Sequence, residues 1–211
     1  MTQRFLISLT LVTCLGGALT ACAPVVLGGA VVGGLVATDR RTSGAQLEDE
    51  GIELRSASRI RDNLGDRGHV NVNSYNRRVL LTGEVPSLQD KQLVEQIVSR
   101  VDNVQAVINE LAVLGNATLT QRSSDSLVTG KVKAGLVDAK DLYANAFKVV
   151  TERGITYLMG RVTQREADRA TDITRSTGGV QKVVRVFEYI SEDELRNLLP
   201  QPAPESKQTK P

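Results

Sequence analysis

Apolar positions along this chain follow two rhythms, and the same succession of rhythms is run through twice. Leu54, Ala57, Ile60 and Leu64 recur at helical spacing and Gly65 closes the run. Val70 and Val72 then alternate with Asn71 and Asn73 until Tyr75-Asn76-Arg77-Arg78 turns the chain into Val79, Leu81, Gly83 and Val85, a β-hairpin signal. Ser87 with Asp90 three residues on resembles a capping box, and Leu93, Val94, Ile97, Val98 and Val101 form the stripe of a second helix, which Asp102-Asn103 breaks. Val104 to Val113 supplies a third strand. The second pass predicts a helix from about Ser126 to Val137 and strands Phe147 to Thr151 and Ile155 to Val162, joined by Glu152-Arg153-Gly154. Thr163 and Glu166 cap a helix with Ala167, Ala170 and Ile173 on its inner face. Gly178-Gly179 end it, and Val180 to Ile190 is the last strand.

The order α-β-β-α-β is a duplicated module. Its most literal trace is Leu80-Leu81-Thr82-Gly83-Glu84-Val85, which returns as Leu158-Met159-Gly160-Arg161-Val162. The fold class is α+β: two tandem modules, each a three-stranded mixed sheet with two helices packed on one face. The boundaries fall at 46–114 for the first module, 115–122 for a polar linker and 123–190 for the second. Glu48-Asp49-Glu50 suit the N-terminus of the first helix. Gly83 and Gly160 close their strands and have a structural role. Ser191 with Glu194 caps a short helix over 191–199, which Pro200 terminates, and disorder is expected over 200–211, where no apolar stripe continues.

Charge separates the copies. The net charge is +2, yet residues 46–114 hold 8 Lys+Arg against 11 Asp+Glu while residues 115–190 hold 12 against 8. Hydrophobic residues make up 41% and aromatics 3%, with no Trp, so the cores are aliphatic and no set of aromatics exists to stack nucleic-acid bases. Nucleic acid is excluded as a partner.

The first residues read as an export signal over 1–21: Arg4 gives a positive start, Phe5 to Leu19 an apolar run, and Leu19-Thr20-Ala21-Cys22 a cleavage site that resembles a bacterial lipobox. Cys14 leaves with the signal, so no intrachain disulfide is available to the processed chain. Residues 22–45 form the tether. Its apolar stretch Pro24 to Ala37 is too short for a bilayer span, which takes about 20 residues.

A lipobox followed by two α-β-β-α-β units, each with a Gly closing its second strand and a capped helix after it, resembles the dual BON-domain outer-membrane lipoproteins. The densest match is Tyr157-Leu158-Met159-Gly160-Arg161-Val162-Thr163-Gln164-Arg165-Glu166-Ala167. The resemblance implies cleavage before Cys22, diacylation of its thiol, acylation (palmitate) of its new amino group, and attachment to the outer membrane of a Gram-negative bacterium, facing the periplasm. It further implies recognition of anionic phospholipid by the first helix of the second domain, in support of membrane integrity, with some members associated with division.

No catalytic constellation, cofactor or metal site is predicted. His69 is the only histidine and reads as a surface-turn residue, and neither clustered Cys/His nor a phosphate-binding loop is present. What remains is the first helix of the second module. At 100° per residue, Val128, Val132, Gly135 and Leu136 face the sheet, while Leu127, Gly130, Ala134 and Val137 face the opposite way, flanked by Lys131 and Lys133. Such a second strip either packs against another part of the chain or meets a membrane interface. Aligning Ile60 with Val132 and Leu64 with Leu136 sets Arg55 against Leu127, Asp62 against Ala134 and Gly65 against Val137, so only the second module has the strip. The expected lipid-binding residues are Leu127, Lys131, Lys133, Ala134 and Val137. Lipid-binding relatives carry Trp where this chain has Leu127, and an envelope protein partner for the same patch stays open.

Overall fold

The computed structural model describes residues 39–198. The export signal, Cys22, most of the tether and the tail from 199 lie outside the described residues. Helix α1 (Ser43–Leu64) is followed by a 3-10 turn (Gly65–Arg67), strands β1 (His69–Tyr75) and β2 (Arg78–Val85), helix α2 (Leu88–Ser99) and strands β3 (Ala106–Asn109) and β4 (Ala112–Val113). The second module runs α3 (Leu119–Asp138), a 3-10 turn (Ala144–Ala146), β5 (Phe147–Glu152), β6 (Ile155–Val162), α4 (Gln164–Ser176) and β7 (Lys182–Tyr189), with α5 (Glu192–Leu198) after it.

In each module the middle strand pairs antiparallel with the first and parallel with the last. The third strand of module one is interrupted at Glu110-Leu111, so β3 and β4 pair with β2 separately. The helices cover one face of each sheet. Ile52, Ile60, Leu64, Val79, Leu81, Val85, Val94 and Val98 make one core, and Val128, Val132, Leu136, Leu158, Val162, Ala167, Ala170 and Phe187 belong to the other.

Two sequence expectations for α1 change. The helix begins at Ser43, capped by the Thr42 side chain, so Glu48-Asp49-Glu50 lie in its second turn. Its inner face is Asp49, Ile52, Ser56, Ile60 and Leu64, while Leu54 is exposed. Asp49 is buried because it holds the hairpin turn. Its carboxylate accepts from the backbone N–H groups of Asn76 and Arg77 (both 2.8 Å), from Ser74 Oγ (2.6 Å) and from Arg41 (2.8 Å). Asn76 and Arg77 both have positive φ, 50° and 65°, the type I′ geometry that suits strand twist but strains a residue with a Cβ. Asp125 does the same for the second module, accepting from the N–H groups of Arg153 (2.8 Å) and Gly154 (2.9 Å).

Burial pushes the Asp49 carboxyl up, but its hydrogen bonds outweigh that and hold it below the ordinary 3.8. The contribution is complete above the unfolded pKa and disappears as pH falls through the lower folded value. Asp49→Ala is expected to lose about 2–3 kcal/mol in urea unfolding at pH 7, with the gap to the parent shrinking in acid below the carboxylate range.

The second face of each sheet is buried against the other sheet. Tyr75 and Leu80 of module one pack with Tyr157, Met159 and Val186 of module two, joined by Ile108, Val150, Ile155 and Val184. Burial pushes both the Tyr75 and Tyr157 phenols up to about 12. Each hairpin turn reaches the partner module: Asn76 donates to Glu188 (2.7 Å) and Arg78 to the Phe187 carbonyl (3.2 Å), while Arg153 pairs with Glu84 (3.1 Å). Residues 39–41 strap the seam. Arg40 forms a bidentate pair with Glu166 of α4 (2.6 and 2.8 Å) and donates to the Arg161 carbonyl (2.7 Å). Arg41 pairs with Asp39 and Asp49 and lies 4.4 Å over the Tyr75 ring. The described residues therefore fold as helices, sheet, sheet, helices around three cores.

Candidate functional site: the outer face of helix α3

Helix α3 starts earlier than the polar run 115–122 predicts. Thr118 accepts from the N–H of Gln121 and the Gln121 side chain accepts from the N–H of Thr118, a reciprocal capping box that begins the helix at Leu119. Twenty residues make it about 30 Å long. Asp125, Val128, Val132 and Leu136 are buried. Gly135 lies on this side as well, where a Cβ would come 3.0 Å from Ile173, so its lack of a side chain lets α3 approach α4.

The opposite face is open. Leu127 is 68% and Val137 69% exposed, and Gly130, Lys131, Lys133 and Ala134 are exposed with them. Leu119, 79% exposed, lies on the same strip by its spacing to Val137 and was hidden in the expected linker. Of the two expectations for this strip, packing against another part of the chain is not what the described residues show.

The correspondence between the two first helices is one turn away from the sequence alignment. Asp49 and Asp125 hold equivalent turns, so Ile52 matches Val128, Ser56 matches Val132 and Ile60 matches Leu136. The residues facing Leu127, Ala134 and Val137 across the repeat are then Gly51, Ser58 and Arg61, in place of Arg55, Asp62 and Gly65. A shift of four residues keeps the same face inward, which is why apolar periodicity alone could not set it. Module one is not wholly polar outside: Leu47 and Leu54 are 70% and 73% exposed, but they share their helix with Glu48, Glu50 and Glu53.

A second cluster lies at the seam. His69 begins β1 opposite Glu84 of β2, with its imidazole 23% exposed, and is not a surface-turn residue. The His69 and Glu84 side chains meet Glu152 of β5 there. Burial pushes the Glu152 carboxyl up, and the Asn71 amide hydrogen bond (2.7 Å) opposes this only in part. The three come from positions 69, 84 and 152, so no local spacing announced them.

Among the described residues, no helix is long and apolar enough to cross a membrane. The BON domain profile matches residues 48–115 and again 124–191. The chain belongs to the BON-domain family. Its two BON domains coincide with the two sheets and their helices. The chain is 38% identical over 174 residues to the outer membrane lipoprotein DolP of Haemophilus influenzae, covering 82% of this chain and 90% of that protein. It is 30% identical over 154 residues to a 21 kDa hemolysin of Actinobacillus pleuropneumoniae, covering 72% and 79%.

Proposed function

We propose that this chain is a non-enzymatic outer-membrane lipoprotein, anchored through Cys22 and facing the periplasm, whose second BON domain lays α3 on anionic phospholipid in support of envelope integrity. The supporting observation is the open strip of Leu119, Leu127, Ala134 and Val137, with Lys131 and Lys133 exposed beside it. A helix apolar on its outward side and edged by lysines has the composition of an interfacial membrane helix. Inserting Leu127 and Val137 contributes roughly 1.5–3 kcal/mol each, and each lysine near an anionic surface about 1 kcal/mol. Such contact is weak alone, but a tether raises the effective concentration at the surface. The exposed leucines of α1 share their helix with carboxylates that an anionic surface repels, which favours the second domain.

The name of the Haemophilus relative supports the anchorage and the membrane. Vesicle titration of residues 39–211 tests the contact. Binding is expected to rise with the anionic lipid fraction, to fall with salt, and to weaken about 10–100-fold in Leu127→Glu. Binding indifferent to anionic lipid and unchanged by Leu127→Glu would assign the strip to a protein partner of the envelope.

A further inference from the structure

His69 Nδ1 lies 3.5 Å from Glu84 Oε2, and the ligand atoms of His69, Glu84 and Glu152 all lie within 4.8 Å of one another. Glu84 is fully buried and Glu152 is 7% exposed. Three neighbours already contact the carboxylates: Arg153 donates to Glu84 Oε1 (3.1 Å), the N–H of Ala117 to Glu84 Oε2 (3.2 Å) and Asn71 to Glu152 Oε2 (2.7 Å). His69 Nδ1 is different. It is buried and makes no hydrogen bond, with the Glu84 carboxylate beside it at 3.5 Å. A buried imidazole nitrogen that makes no hydrogen bond costs free energy, and a metal ion on that nitrogen would relieve it.

We propose that His69, Glu84 and Glu152 bind one divalent transition-metal ion of the zinc type at the seam between the two BON domains. The donor set is one imidazole nitrogen and two carboxylates, which suits zinc or cobalt better than calcium or magnesium, whose sites are built from oxygen. Zinc with ligands at about 2.0–2.2 Å needs neighbouring donors roughly 3.4 Å apart in a tetrahedron, a spacing that the His69–Glu84 pair already has. The third donor, a Glu152 oxygen, lies within 4.8 Å of the other two and would have to close in on the ion. Arg153 pairs with Glu84, and the Glu152 carboxylate has only the neutral Asn71 amide as a hydrogen-bond donor among the described residues, so a cation also balances the local charge. Gly83 keeps the cluster tight, since a Cβ there would meet the His69 carbonyl oxygen at 2.0 Å and His69 Nδ1 at 3.4 Å. Because Glu152 belongs to the second domain and the other two ligands to the first, the ion ties the domains together.

The test uses the full chain stripped with a chelator and titrated with Zn²⁺ and, separately, Co²⁺. One equivalent is expected to bind, with affinity lowered at least about tenfold in both His69→Ala and Glu152→Gln. At a hundredfold excess over the parent's Kd, Zn²⁺ is expected to raise the parent's melting temperature by about 5–10 °C and that of Glu152→Gln by no more than about half as much. Glu152→Gln keeps shape and an acceptor for Asn71, so it carries the test if His69→Ala does not fold. Co²⁺ bound here gives ligand-field bands without the thiolate charge-transfer band that an unprocessed Cys14 or an unacylated Cys22 would produce. Equal affinity in parent and Glu152→Gln, a thiolate band as the only signal, or no binding up to millimolar metal would each overturn the proposal.

Discussion

Arg40→Ala is expected to destabilise the protein by about 3–5 kcal/mol, a large part of the stability of a chain this size. The Arg40 and Glu166 side chains are 3% and 1% exposed and meet in a two-pronged pair. Removing the guanidinium strands a buried carboxylate, which keeps only the N–H of Thr163 at 3.0 Å. It also leaves the Arg161 carbonyl without the 2.7 Å bond from Arg40. The sign of the pH dependence separates this account from simple loss of packing. In the parent, burial pushes the Glu166 carboxyl up, but the hydrogen bonds from Arg40 and Thr163 hold it below the ordinary 4.5. Its stabilisation is therefore complete above the unfolded pKa and is lost as pH falls through the depressed folded value. Without Arg40, burial dominates and the neutral acid becomes the favoured native form, so acidification narrows the gap between variant and parent. Urea unfolding at pH 7 and pH 4 measures both. Arg40→Met combined with Glu166→Gln is expected to recover most of the loss, because the glutamine still completes the capping box and no charge is left buried.

That pair also shows why the seam was not readable in the sequence. Arg40 precedes the first domain and Glu166 was expected only to cap a helix of the second. The duplication itself was plain: the repeated phrase around Gly83 and Gly160, the caps at Ser87 and Thr163 and the hairpin alternation are local signals, and each places an element correctly. Leu80 beside Leu81, and Tyr157-Leu158-Met159, carried a further message. An apolar residue on both sides of a strand means burial on both faces. Read that way, the runs announce a partner for the second face of each sheet, though not which partner. Leu119 was missed because Thr118 and Gln121 lie in a polar run, where a capping box is easily taken for linker. The register of α1 against α3 depended on Asp49 and Asp125, whose role appears only once the turns they hold are in place. His69 looked like a turn residue because Gly68 precedes it. What buries it is Glu84 on the paired strand and Glu152 on the other sheet.

Gly83→Ala is expected to cost about 3–5 kcal/mol and Gly160→Ala about 1–3 kcal/mol, an order set by backbone conformation. The repeated glycine serves the same contact in both domains. A Cβ on Gly83 would come 2.0 Å from the carbonyl oxygen of His69, and one on Gly160 would come 2.4 Å from that of Ala146, the equivalent residue before β5. In each case the obstacle is backbone, so a strand has to shift. Gly83 carries an added burden, since its φ of 110° is strained for any residue with a Cβ, whereas Gly160 has no such conformation. A shift at Gly160 also reaches across the seam, because the Ala146 carbonyl accepts from the Tyr75 hydroxyl at 3.3 Å. Urea unfolding of the two variants should therefore give a lower midpoint for Gly83→Ala. Gly160→Ala should lose more when Tyr75 is intact than in a Tyr75→Phe background. A double-mutant cycle over Gly160 and Tyr75 measures that coupling, expected at about 0.5–1 kcal/mol. Strict additivity would mean that the strand shift at Gly160 is absorbed inside the second domain and does not touch the sheet-to-sheet seam.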